Sequence, residues 1–109
     1  MQDDLAIKKM VKGFRELIII LFLTQKPMHG YEIKKKFEDL FYVNYPSSVI
    51  YPMLRGLEKK GYIKSEWKQA GGRRKRLYSA TEEGRAVLKR SREILEKPAR
   101  EVLMSIIGE

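Results

Sequence analysis

The chain has 109 residues, with 23 Lys/Arg against 14 Asp/Glu, a formal charge of +9 and a pI near 9.8. That length allows one small domain, alone or with an extension, and no substrate cleft with walls of its own. The charge excess points to a polyanionic partner, nucleic acid or an anionic membrane surface, with solubility alone as the simpler alternative.

The charge is uneven. Residues 1–28 carry five Lys/Arg against three Asp/Glu, residues 29–80 twelve against five, and residues 81–109 six of each. The polyanion-facing surface is therefore expected in the middle segment. No cysteine and one histidine exclude disulfides and thiolate chemistry, and leave little for a metal site or a His-based dyad. Neither an enzyme nor a cofactor is expected, and the absence of cysteine is compatible with a reducing compartment.

Leu5 to Leu23 reads as a helix, with Met10, Phe14, Leu17, Ile18 and Leu21 on one face. The run "LIIILFL" adds Ile19, Ile20 and Phe22 on the remaining faces, so this helix must be covered on more than one side. It is either a central core helix or one with a face in the subunit and a face in a homodimer; Phe14, Leu17, Ile18 and Leu21 are the candidates for the latter. Seven apolar residues are too few to span a bilayer, and Asp3 and Asp4 do not open a signal peptide. A cytoplasmic protein without a membrane partner is expected.

After "QKPMHG" a second helix is predicted from Gly30 to Phe41, with Ile33, Phe37, Leu40 and Phe41 as its buried stripe and Tyr31 and Lys35 opposite. Lys34, Lys35 and Lys36 are a solvated face or part of the basic surface. "YVNYPSS" is turn chemistry, and Ser47 or Ser48 is expected to cap a third helix that ends at Gly61. That start keeps Pro52 within about the first turn. Ile50, Met53, Leu54 and Leu57 form the core stripe; Ser48, Pro52, Arg55 and Lys59 face away, with Tyr51 on the flank.

"YIKSEW" alternates as a half-buried strand, and "RKRLYSA" returns after Gly71-Gly72, giving a hairpin. Trp67 is expected to pack on the hairpin face rather than stack on a ligand. Thr81 reads as an N-cap, with Glu82 and Glu83 suiting the helix dipole. The last helix runs toward Ile107, kinked at Pro98, with Leu88, Leu95 and Val102 spaced by seven and Val87, Ile94, Leu103 and Ile106 beside them. With no later element to cover it, that seam is assigned to a partner subunit, a membrane-surface helix being the minor alternative.

The order is mainly α with a small β-hairpin, a winged helix-turn-helix over residues 1–80 and a C-terminal dimerisation helix over 81–109. In such a unit the third helix enters the major groove and the hairpin is the wing. Ser47, Ser48, Tyr51, Arg55 and Lys59 on that helix, with Tyr31 on the second, are candidate base and phosphate contacts; Lys34, Lys35, Arg73, Arg74, Lys75 and Arg76 are candidate phosphate contacts. The alternative is a winged-helix module for protein or RNA contact. His29, beside Gly30 at a helix start, is a capping or packing residue.

"HGYEIKKKF", "SSVIYPMLRGLEKKGYI" and "SEW…GGRRKRLYSATEEGR" resemble the PadR family of bacterial transcriptional regulators, in its short form with a single C-terminal helix. Many members carry Pro-Gly-Thr or Pro-Gly-Ser where this chain has Ser47-Ser48-Val49. The resemblance implies a homodimeric repressor on a pseudo-palindromic duplex operator, with the first and last helices forming the dimer. It also implies a possible small aromatic effector at the dimer interface.

Overall fold

The apolar residues of the first helix cannot all face one way, and the fold sorts them. In the computed structural model, which describes residues 2–107, helix α1 (Gln2–Gln25) turns Val11, Ile19, Ile20, Phe22 and Leu23 inward. Met10, Phe14 and Leu21 stay exposed on the opposite side, and Ile18 is half-buried against the core. The side chains of residues 2–4, 7, 99, 103 and 107 lie outside the description, Leu103 of the expected dimer face among them.

A two-residue strand β1 (Met28–His29) leads into helix α2 (Gly30–Phe41). The backbone N–H of His29 donates to Glu32 Oε1 at 2.8 Å, which satisfies one donor at the helix start. Ile33 and Phe37 are buried, and Phe37 meets Phe22 of α1 edge-on at 5.3 Å. Leu40, expected in the stripe, is 54% exposed: Gly30, Ile33 and Phe37 centre the buried face, and Leu40 falls at its rim. Tyr42 closes the helix in the left-handed region at φ 57°.

Helix α3 (Ser47–Lys59) starts differently from the expected serine cap. Pro46, held extended at φ −69° and ψ 161°, is the N-cap, and its carbonyl accepts from the Val49 and Ile50 amides at 2.9 and 3.1 Å. Ser47 and Ser48 are thereby the first helical residues, and Pro52 lies in the second turn, where the Ser48 carbonyl loses its usual donor. The far end matches expectation. Gly61 takes φ 83°, its N–H bonds the Glu58 carbonyl, and the Tyr62 N–H bonds the Leu57 carbonyl, a Schellman closure.

Strands β2 (Ile63–Ala70) and β3 (Arg73–Ala80) form the hairpin. Its two-residue turn uses Gly71 at φ 59° and Gly72 at φ 79°, the pair of positive values a twisted hairpin demands. The sheet has a third strand that sequence periodicity did not reveal: β1 pairs antiparallel with β3, Met28 opposite Tyr78 and His29 opposite Leu77, giving the order β1-β3-β2. Two residues carry no period; their strand exists only because β3 passes beside them.

Thr81 caps helix α4 (Glu82–Ile94): its Oγ1 accepts from the Gly84 amide at 3.0 Å. The first half of this helix packs along α1, with Leu88 half-buried against the subunit's own core. No later element covers the last helix, as expected, but the earlier α1 of the same chain takes part of its seam, which is therefore not left wholly to a partner. Beyond Ile94 the chain stays helical through a wide π turn, Leu95–Ala99, which absorbs Pro98, and continues as α5 (Arg100–Ile107). No helix among the described residues is long and apolar enough to cross a membrane.

Candidate nucleic-acid interface

With Ile50, Leu54 and Leu57 turned into the core, the 100° step leaves Ser47, Ser48, Pro52, Arg55 and Lys59 of α3 exposed. Tyr51 lies between these faces, half-buried over the start of α2. Its seat exists because residue 30 is glycine: a Cβ there would stand 2.5 Å from Tyr51 Cε1 and 2.8 Å from its hydroxyl oxygen. Gly30 is thus a contact requirement rather than a backbone one.

The start of α2, the outer side of α3 and one face of the wing enclose a cleft of about 770 Å³. His29, Gly30 and Tyr31 line it from below, Tyr51, Arg55 and Glu58 from α3, and Trp67, Lys75, Arg76 and Tyr78 from the wing. Of the expected contacts, Tyr31, Tyr51, Arg55, Lys75 and Arg76 therefore converge. Lys34, Lys35, Ser47, Ser48, Lys59, Arg73 and Arg74 lie outside the lining. Lys35 pairs with Asp39 at 3.7 Å on the α2 surface, while Lys34 is half-buried.

The wing's basic run is not four equivalent charges. Arg73 and Arg74 follow the turn and are exposed. The Arg74 guanidinium lies 5.2 Å from the Trp67 ring centroid and that of Arg76 4.7 Å, while the Lys75 ammonium sits 4.6 Å over Tyr31. Tyr31 stacks on His29 at 5.6 Å with planes 7° apart. Trp67 packs on the hairpin face as expected, against Arg74 and Arg76 of the neighbouring strand, yet it is 51% exposed and also lines the cleft. The inward face of β2 is covered at Ile63 and half-covered at Ser65, and the strand has left the core by residue 67.

Arg55, Lys75 and Arg76 outnumber Glu58, the one carboxylate in the lining, so the cleft is cationic. Burial pushes the Tyr78 phenol above its ordinary range, opposed by the nearby Arg76, so at neutral pH its hydroxyl is protonated. Phenol hydroxyls and the guanidinium of Arg55, which makes no ion pair among the described residues, suit phosphate oxygens and base edges. Glu58 and Ser65 escaped the sequence reading. The available signal was that Glu58 is the sole acidic residue of α3, set inside a basic segment.

The sequence profile of the transcriptional regulator PadR-like family matches residues 19–90. The chain belongs to the PadR-like family. It is 39% identical over 83 residues to Transcriptional regulator Rv3488 of Mycobacterium tuberculosis, covering 75% of this chain and 66% of that protein. It is 32% identical over 98 residues to Transcriptional regulator YqjI of Escherichia coli, covering 88% of this chain and 46% of that protein. The chain thus spans about half to two thirds of these relatives' length. The crystal structure of a PadR family transcriptional regulator from Eggerthella lenta superposes with a TM-score of 0.67 at 28% identity, over 98% of this chain and 92% of that one. PadR regulators bind DNA, and the winged-helix architecture seen here is theirs.

A second surface of this PadR-like chain is apolar. Phe14, Leu17, Ile18 and Leu21 of α1 meet Leu88 and Leu95 around a shallow groove of about 180 Å³. Val102 and Ile106 continue exposed along α5.

Proposed function

We propose that the chain is a homodimeric repressor that reads a pseudo-palindromic duplex operator, with residues 1–80 as its DNA-binding unit and 81–109 as its dimerisation helix. The observation that carries this reading is the convergence of Tyr31, Tyr51 and Arg55 with the basic wing on one cationic cleft. Arg55 and Tyr51, with Ser47 and Ser48 at the helix start, supply selectivity; Lys34, Lys35, Lys59, Arg73, Arg74 and Lys75 supply affinity for phosphates. The groove of Phe14, Leu17 and Leu21 with Leu95 supports a twofold partner. Family likeness supports a small aromatic effector at that interface as the release signal.

Selection of bound duplexes from a random pool tests the reading. The expected outcome is an inverted repeat with half-sites about 34–36 Å apart or a multiple of that. Affinity for the selected duplex should fall steeply with salt, log K losing about 0.9 per log unit for each phosphate neutralised. Failure to enrich any sequence, or an affinity indifferent to salt, would place the partner elsewhere, with protein or RNA next in line.

A further inference from the structure

Arg76 was grouped by sequence with the wing's phosphate contacts, yet its side chain, though exposed, is engaged by neighbours within the subunit. Its Nη1 donates to Ser65 Oγ at 2.7 Å, and Ser65 Oγ donates to Glu58 Oε2 at 2.8 Å. Nη1 also lies 4.0 Å from Glu58 Oε1, and the guanidinium covers the Trp67 ring. The main chain of the same residue is held too: its carbonyl oxygen is 2.8 Å from His29 Nδ1, and because a carbonyl only accepts, Nδ1 is the protonated ring nitrogen. One residue of β3 is thereby joined to α3 through Glu58, to β2 through Ser65 and Trp67, and to the start of α2 through His29.

We infer that Arg76, with Glu58 and Ser65, is a positioning residue that locks the wing to the recognition helix. The inference rests on the reading of the cleft as the DNA-facing surface. The wing is a lever. Its eight-residue strands reach about 26 Å at about 3.3 Å per residue, so a 10° swing at the base moves the tip by about 4–5 Å. A phosphate hydrogen bond has a reach of about 3 Å, so such a swing severs every contact made by Arg73 and Arg74. The pairs at the base, Ile63 opposite Ala80, both buried, and half-buried Ser65 opposite buried Tyr78, cannot oppose it far along the lever. The Trp67–Arg76 pair is the next on the same face, where the hairpin leaves the core, and there the guanidinium ties it to α3.

Glu58 makes the two roles of Arg76 separable by sign. If Arg76 were a phosphate contact, Glu58 would be an unfavourable charge beside DNA, and Glu58→Gln would strengthen binding. If Arg76 is a lock, the same substitution loosens the wing and weakens binding, although it removes a negative charge from the interface. Arg74, over the other part of the Trp67 ring, makes no such bond to α3 among the described residues, and it remains available to the duplex.

The test uses the full chain and two readouts. First, without DNA, Trp67 is the only tryptophan and reports the wing directly. Acrylamide quenching should rise in Glu58→Gln and in Arg76→Ala, and by less in Arg76→Lys, which keeps the charge but not the forked geometry. Unchanged quenching in Glu58→Gln overturns the lock whatever the chain binds.

Second, each variant is titrated with a selected duplex and with random duplex. The lock predicts that Glu58→Gln loses on the order of tenfold on the selected duplex and little on the random one. It also predicts that Glu58→Gln/Arg76→Ala is no worse than Arg76→Ala alone. A role in stability alone would lower the melting temperature and the active fraction while leaving the selected-to-random ratio intact, and that result also overturns the proposal. Tighter binding by Glu58→Gln, or a loss in Arg76→Ala shared by all duplexes with a salt slope smaller by about 0.9, makes Arg76 a phosphate contact instead. Should the wild-type chain itself prefer no duplex, the DNA reading fails, and the quenching result alone decides the lock.

Discussion

Gly30 has no side chain, and the space a methyl group would take is filled by the far end of Tyr51. The obstructing atoms belong to a ring at the end of a side chain, so Gly30→Ala should displace Tyr51 and leave α2 folded. Gly84 is the contrast, since a Cβ there would overlap the backbone carbonyl oxygen of Tyr62, which cannot swing away. A glycine can therefore make room for a side chain at one position and for the main chain at another. For Gly30→Ala the expected outcome is a loss of about tenfold, near 1.4 kcal/mol, on a selected duplex, with random duplex bound as before. Parallel anisotropy titrations check it, with far-UV circular dichroism as the folding control; equal losses on both duplexes would remove Tyr51 from base reading.

At the scale of elements, the joints of the fold are built from single capping residues. Thr81 Oγ1 accepts from the Gly84 amide and also donates to the Gly61 carbonyl at 2.6 Å, so one hydroxyl starts α4 and ties it to the end of α3. Thr81→Ala should cost about 1–2 kcal/mol, read as a lower midpoint in thermal or urea unfolding, and Thr81→Ser should restore most of it. The Thr81 cap was legible in the sequence, as were the bounds of α2, the glycine stop of α3 and the Gly71-Gly72 turn, because each signal is local and lies within a few residues of its effect; the tie from Thr81 to Gly61, 20 residues apart, was not. What the sequence hid depends on distant partners. The strand at Met28–His29 is defined by Leu77 and Tyr78, the exposure of Leu40 by what fails to cover it, and the Glu58–Ser65–Arg76 lock by a wing folding back on a helix. Pro46 displaced the expected serine caps because its own locked φ already suits the position.

Taken whole, the subunit is longer than its mass requires. Its radius of gyration is 15.9 Å and its extents are 57 × 35 × 20 Å, whereas a compact domain of about this length has a radius near 13 Å. The rod that runs from α4 through the π turn into α5 accounts for the elongation and leaves Ile94, Leu95, Val102 and Ile106 between 42% and 73% exposed. An apolar stripe on a projecting helix is unfavourable in water unless something covers it. Leu95 sits where that stripe meets the Phe14–Leu17–Leu21 face of α1, so a charge there is buried in a twofold assembly but solvated in a monomer. Leu95→Glu should therefore sediment as a monomer with an unchanged circular dichroism spectrum, while Leu95→Met stays dimeric. The same monomer should keep weak binding to random duplex, whose phosphates need only the wing, and lose the inverted repeat, whose two half-sites need two subunits at a fixed spacing. If Leu95→Glu sediments as a dimer, the interface lies on another face, and α5 then needs a different reason for its exposed Val102 and Ile106 side chains.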